Sequence, residues 1–154
     1  MKQIQLFRGA EHPCSYLPGR SACSAYADPG LLLDVATYSS LAAQGFRRSG
    51  DLVYRPHCAG CAACVPVRIP VARFAPNRSQ LRSLRVNADV LAIPKPAEFD
   101  AEHYHLYQRY QTARHEDGGM ADSSPEDYLG FLGSRWADTQ FVEFRLDAKT
   151  STSA

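Results

Sequence analysis

Three cysteines recur at equal intervals in Cys58-Ala-Gly-Cys61-Ala-Ala-Cys64, a spacing that curls the backbone and turns three thiols towards one centre. Thiolates so placed suit three irons of a cubane cluster or three corners of a tetrahedral zinc site, and spacing alone does not choose between them. The fourth ligand must come from elsewhere in the chain. Cys14, held among the turn-forming residues Pro13, Pro18 and Gly19, is the first candidate, His57 beside the loop the second, and Cys23 the third. The chain has five cysteines, so an all-disulfide scheme leaves one thiol over. The competing reading is plainer: thiols in a loop of small residues, with Cys23 packed as a small apolar side chain.

Fixed positive charge shares this neighbourhood. The net charge of the whole chain is only +1, but residues 45–87 carry Arg47, Arg48, Arg55, Arg68, Arg73, Arg78, Arg82 and Arg85 against one acid, Asp51. Beyond Asn87 the acids outnumber the bases. Arginines without lysines favour planar, bidentate contact with phosphate or carboxylate. Arg78, Arg82 and Arg85 stand at i, i+4 and i+7, so a helix there carries three guanidinium groups on one face. Such a row rewards an extended nucleic-acid backbone through counterion release. Its alternative is a solvated surface helix. Tyr104, Leu106, Tyr107 and Tyr110 read as a core stripe rather than a base-stacking platform, and His103, His105 and His115 are weak candidates for a catalytic base.

These groups need elements to position them. Ile4–Phe7 suits a short strand, and the prolines and glycines of residues 11–30 divide that stretch into turns. Asp34 caps a helix to Gln44, with Gly45 as its stop. Residues 46–48 and 52–54 form a hairpin across Ser49-Gly50-Asp51, and its second strand leads into the cysteine loop. Val65, Val67, Ile69 and Val71 alternate with Pro66, Arg68 and Pro70, as an edge strand would. Asn77 opens a helix to Val86. Residues 93–99 read as a connector and a domain boundary, because composition turns from basic to acidic there. Asp100 caps a helix to about His115, ended by Gly118-Gly119, and Ser124-Pro125-Glu126-Asp127 starts another that stops at Gly133. Residues 139–146 alternate as a half-buried strand, with Val142, Phe144 and Leu146 on one face and its sheet partners missing; the polar residues 147–154 read as a disordered tail. The fold class is α+β. There is no apolar leader and no run near the ~20 apolar residues of a membrane span, so the expectation is a cytoplasmic protein with reduced thiols and no membrane partner. The oligomeric state is left open.

The ordered phrases Pro13-Cys14-Ser-Tyr-Leu-Pro-Gly-Arg20, Gly45-Phe-Arg-Arg-Ser-Gly50, Tyr54-Arg-Pro-His-Cys58 through Val71, Asn77-Arg-Ser-Gln80, Arg109-Tyr110 with Arg114-His115 and Asp117-Gly-Gly-Met120, and Asp138-Thr-Gln-Phe-Val-Glu-Phe-Arg145 resemble the arginyl-tRNA-protein transferase family, most closely its bacterial aspartate/glutamate leucyltransferase branch. The resemblance implies transfer of leucine or arginine from aminoacyl-tRNA to proteins that begin with Asp or Glu, marking them for degradation. It also implies a cysteine-bearing N-terminal domain, here residues 1–95, and the first part of an acetyltransferase-like (GNAT) domain, here 96–154, with the family's sequence continuing further. An iron–sulfur cluster is described for some members, with zinc as the alternative, and its ligands here would be Cys14, Cys58, Cys61 and Cys64. Arg78, Arg82 and Arg85 would hold tRNA, and Arg47, Arg48 and Arg68 the acidic N-terminus. No catalytic residue is assigned. The alternative to an enzyme is a non-catalytic metal- or cluster-containing tRNA-binding module, and a third option is an unfolded remnant.

Overall fold

The computed structural model describes residues 3–115, 120 and 122–146. In chain order the elements are β1 (Leu6–Arg8), β2 (His12–Pro13), β3 (Ser21–Ala22), β4 (Ser24–Ala27), α1 (Val35–Ala43), β5 (Arg47–Ser49), β6 (Leu52–Pro56), a 3-10 turn at Val71–Arg73, α2 (Arg78–Val86), β7 (Val90–Pro96), α3 (Ala101–Arg114), α4 (Pro125–Leu132) and β8 (Gln140–Leu146). This mixture of helices and antiparallel strands is the expected α+β class. The chain packs as two compact units that interleave in sequence, Met1–Val67 with Glu98–Asp138, and Arg68–Ala97 with Thr139–Ala154.

In the first unit four strands form an antiparallel sheet in the order β1-β4-β6-β5. Period-two alternation divides its residues between two faces. Ala27 and Val53 lie on the inner face, where they form a buried core with Leu41 of α1 and Phe46, and Ile4, Leu33, Tyr38 and Trp136 close over it. Helix α1 starts where Asp34 accepts a 2.7 Å hydrogen bond from the Thr37 N–H. It ends before Gly45, whose φ of 85° continues no right-handed helix. The β5–β6 connection is tighter than the expected three residues: Ser49 pairs with Leu52, leaving Gly50 and Asp51 as the turn.

That turn is fastened to the end of α4. The Gly50 N–H donates to the Phe131 carbonyl at 2.8 Å, and a Cβ on Gly50 would come within 2.1 Å of the Gly130 oxygen. Arg48 Nη1 donates to the Leu132 and Gly133 carbonyls at 2.9 and 3.2 Å, placing a cation at the helix C-terminus. The Asp51 carboxylate accepts from the Arg135 N–H at 2.8 Å, from Ser134 Oγ at 3.1 Å and from the Arg135 guanidinium. Helix α4 itself opens on the expected capping box of Ser124 and Asp127. Tyr128 is its buried residue and meets Tyr104 and Tyr107 of α3 at ring distances of 5.6 and 4.9 Å, so two tyrosines of the predicted stripe are half-buried against it while Tyr110 stays exposed. The predicted stop at Gly118-Gly119 and the tail 147–154 lie outside the described residues.

In the second unit, four expectations are corrected. The edge strand predicted over Val65–Val71, which also reaches into the first unit, is absent: Val65, Val67, Ile69 and Val71 are exposed, and no ladder forms there. Prolines at 66 and 70 remove two donors, and among the described residues no strand supplies a partner edge. The predicted connector over 93–99 is instead largely strand, since β7 runs to Pro96. Pro94 and Pro96 occupy alternate positions, so their missing N–H groups fall on one edge and the other edge pairs. Its partner is β8, over the seven pairs from Val90↔Leu146 to Pro96↔Gln140, so the final strand does not lack a partner. Nor is its apolar set half-buried as expected: Phe144 and Leu146 are over 70% exposed, while the Glu143 side chain is covered by Lys95 and Arg145. Helix α2 agrees with the sequence reading, with Asn77 and Gln80 forming a reciprocal capping box.

Candidate functional site

The outer face of the four-stranded sheet is the floor of a cleft of about 770 Å³. Its side walls come from two irregular stretches, residues 12–23 and the cysteine loop after β6. The fold thereby brings Cys14, Cys58, Cys61 and Cys64 to one cavity, together with Cys23. Hairpin β5–β6 explains the position of the triplet: β6 pairs with β4, and the ladder is continued by the His57 N–H donating to the Cys23 carbonyl at 2.8 Å. Cys58 Sγ then lies 3.4 Å from the Cys23 nitrogen. The turn holding Cys14 is closed by its own N–H donating to the Arg20 carbonyl at 2.8 Å.

The five thiols differ in environment. Backbone N–H groups of Tyr16, and then of Leu17, point at the Cys14 sulfur and, with the Arg20 charge, hold its thiol below the usual cysteine value against a small opposing effect of burial. Cys23 is 3% exposed; its Sγ accepts from Arg8 Nε at 3.4 Å and donates to the Gly9 carbonyl at 3.3 Å. A smaller recess of about 220 Å³ joins Cys23, Cys58 and Cys61 to Glu11 and Arg20. His57, the second-choice ligand, is exposed and lines neither space. Soft thiol donors around one cavity fit an iron–sulfur cluster or zinc in type. Among the described residues, no three His, Cys, Asp or Glu groups gather around a single ion position.

The arginines separate. Arg47 is exposed at the cleft, Arg48 braces α4, and Arg68 belongs to the other unit. Arg78, Arg82 and Arg85 lie on α2, which has no buried residue and no acid in its first turn. His105 and Arg109 border a shallow space on α3, and no other feature of the described residues singles out a base. The sequence reading missed the cleft floor, Tyr26 and Tyr54 above all. Its signal was the Ser24-Ala25-Tyr26-Ala27 alternation, in which Ala25 and Ala27 are buried and Tyr26 faces outward.

No helix among the described residues is long and apolar enough to cross a membrane. A family model described as arginine-tRNA-protein transferase, N terminus, matches residues 12–82, and a second, arginine-tRNA-protein transferase, C terminus, matches residues 102–153. The chain is 56% identical over 133 residues to the aspartate/glutamate leucyltransferase of Nitrosococcus oceani, covering 86% of this chain and 56% of that protein. It is 49% identical over 144 residues to the one from Thiobacillus denitrificans, covering 94% and 60%. Against the one from Teredinibacter turnerae it is 44% identical over 154 residues, covering 100% and 63%. The chain thus spans about three fifths of the length of these curated relatives.

Proposed function

The chain belongs to the arginine-tRNA-protein transferase family, and from that premise we propose that it takes part in moving an amino acid, leucine before arginine, from charged tRNA to the N-terminus of proteins that begin with Asp or Glu. The observation that carries this reading is the pair of family matches, in order, on a chain whose curated relatives are named for aspartate/glutamate leucyl transfer. In this reading residues 1–95 and 96–154 are two functional modules, the second the beginning of an acetyltransferase-like domain, and the reaction belongs to the cytoplasmic pathway that degrades proteins by their N-terminal residue.

The chemistry is aminolysis of an ester. The acceptor's α-amino nitrogen bonds to the aminoacyl carbonyl carbon, the bond to the ribose oxygen breaks, and the amine's proton passes to a base and on to that oxygen. Holding the two reactants together supplies much of the rate. Arg78, Arg82 and Arg85 on exposed α2 are assigned to tRNA phosphates. Arg68 is assigned to the acceptor's acidic side chain; Arg48 is a brace, because its Nη1 lies on two carbonyls. Cys14, Cys58, Cys61 and Cys64 would hold an iron–sulfur cluster, or zinc, whose bonds to thiolate would stabilise the cleft walls. The shared lining of the cleft by Cys14 and the triplet supports its place in that set.

The test is transfer of labelled leucine and of labelled arginine from charged tRNA to peptides with N-terminal Asp or Glu, beside tRNA binding by wild type and by R78Q/R82Q/R85Q. Transfer to the acidic peptides, and not to one with N-terminal Ala, is expected. Binding without transfer would instead make the chain a tRNA-binding module. Unchanged affinity and salt dependence in the triple variant would remove α2 from the tRNA site.

A further inference from the structure

On the floor of the thiol cleft, strand register aligns four side chains in one row. Phe7 of β1 is the partner of Tyr26 of β4, Tyr26 of Tyr54 of β6, and Tyr54 of Arg47 of β5. Row and cleft share the outer face, and Tyr26, Tyr54 and Arg47 all line the cavity. The two tyrosine rings are 5.8 Å apart and 32° from parallel, an aromatic pair set across the β4–β6 ladder and lining the cleft. Tyr26 is also braced from the side, since a Cβ on Gly9 would come within 2.6 Å of its ring. At one end of this row stands Arg47, and Arg20 lines the same cleft.

We propose that this row is a stacking platform for unpaired nucleotides, with the bases on Tyr26 and Tyr54 and the phosphates against Arg47 and Arg20. The proposal rests on tRNA as the partner and names its single-stranded 3′ end as the part received in the cleft. Aromatic side chains in a row across a sheet, with guanidinium groups beside them, are how single strands are held without sequence-specific contacts. The chief rival occupant is the N-terminus of the acceptor protein. Its α-ammonium needs an anionic or strongly accepting partner, and the lining of the cleft contains no Asp or Glu. Phosphates find the guanidinium groups of Arg47 and Arg20 in the same lining. The volume of about 770 Å³ accommodates a nucleotide together with the thiols on the wall.

The platform is tested by titrating the whole chain with a fluorescent short unpaired RNA ending in CCA, with a duplex RNA and with intact tRNA. Tyr26→Leu with Tyr54→Leu keeps apolar bulk and removes the π faces, whereas Tyr26→Phe with Tyr54→Phe keeps them. The leucine pair is expected to weaken the unpaired RNA about tenfold or more, while the phenylalanine pair binds as wild type and both pairs melt as wild type. Arg47→Gln should lower the salt slope by about 0.7, the value of one phosphate on a single strand. Equal affinity of wild type and the leucine pair overturns the proposal, as does displacement of the RNA by a peptide with N-terminal Asp. If intact tRNA binds and the tyrosine variants change nothing, the platform alone falls. If intact tRNA does not bind wild type at all, the tRNA reading falls with it.

Discussion

At the scale of single residues, Asp51 does more for the fold than its place in a two-residue turn suggests. The Arg135 backbone N–H and then its guanidinium hold the carboxyl below the usual carboxylate range against partial burial, with Ser134 adding less. A carboxyl depressed in the folded state contributes stability above its unfolded value of about 3.9 and loses it as pH falls through the folded value. Asp51→Asn should therefore cost roughly 1 kcal/mol at pH 7, a modest figure because the side chain is 32% exposed. It should also flatten the acid limb: urea midpoints of variant and wild type converge as pH falls through the folded value. A constant gap across that range would show that the charge is not what matters. None of this was readable beforehand, because Asp51 meets its partners more than eighty residues later in the chain. The helix caps were readable: Asp34, Asn77, Asp100 and Ser124 each act on an N–H within three residues, so local sequence contains the whole interaction.

At the scale of elements, α2 and the β7–β8 ribbon show the limits of local pattern. Helix α2 buries nothing, so its caps replace the packing that stabilises most helices. Asn77→Ala removes the box and should cost about 1 kcal/mol of helix stability. Backbone chemical shifts over 78–86 should move towards coil and tRNA affinity should fall a few-fold, while the melting of the four-stranded sheet is unchanged. Retention of the helical shifts would sink that account. The segments 65–71 and 90–96 are both apolar and both have prolines at non-adjacent positions, yet only the second is a strand. What separates them is the presence of β8 as a partner, which lies in neither segment. The alternation within β4 is legible in principle, but Ala25 and Ala27 are too small to announce a buried face.

At the scale of the whole molecule, the thiols come from two distant stretches of sequence and border one cleft, so any group bound by Cys14, Cys58, Cys61 and Cys64 cross-links the wall segments of the sheet. Protein purified without oxygen and loaded with iron and sulfide, or with zinc, should melt several degrees above the chelated form. The variant with all four cysteines changed to serine should show no such difference. Equal midpoints for loaded and chelated wild type would refute the ligand set. The Cys58–Cys64 triplet was evident from spacing, whereas its meeting with Cys14 and Cys23 depends on β4 pairing with β6, which no local pattern specifies. The fastening of the β5–β6 turn to the end of α4 has a consequence in time. Its contacts join residues 81 to 85 positions apart, so during synthesis at ~5–20 residues per second Asp51 leaves the ribosome roughly 4–17 s before its partners. For that interval the turn lacks this fastening, while the cysteines that follow the hairpin are already synthesised. Iron or zinc, if these thiols are the ligands proposed above, would therefore have access to them before the turn is fastened.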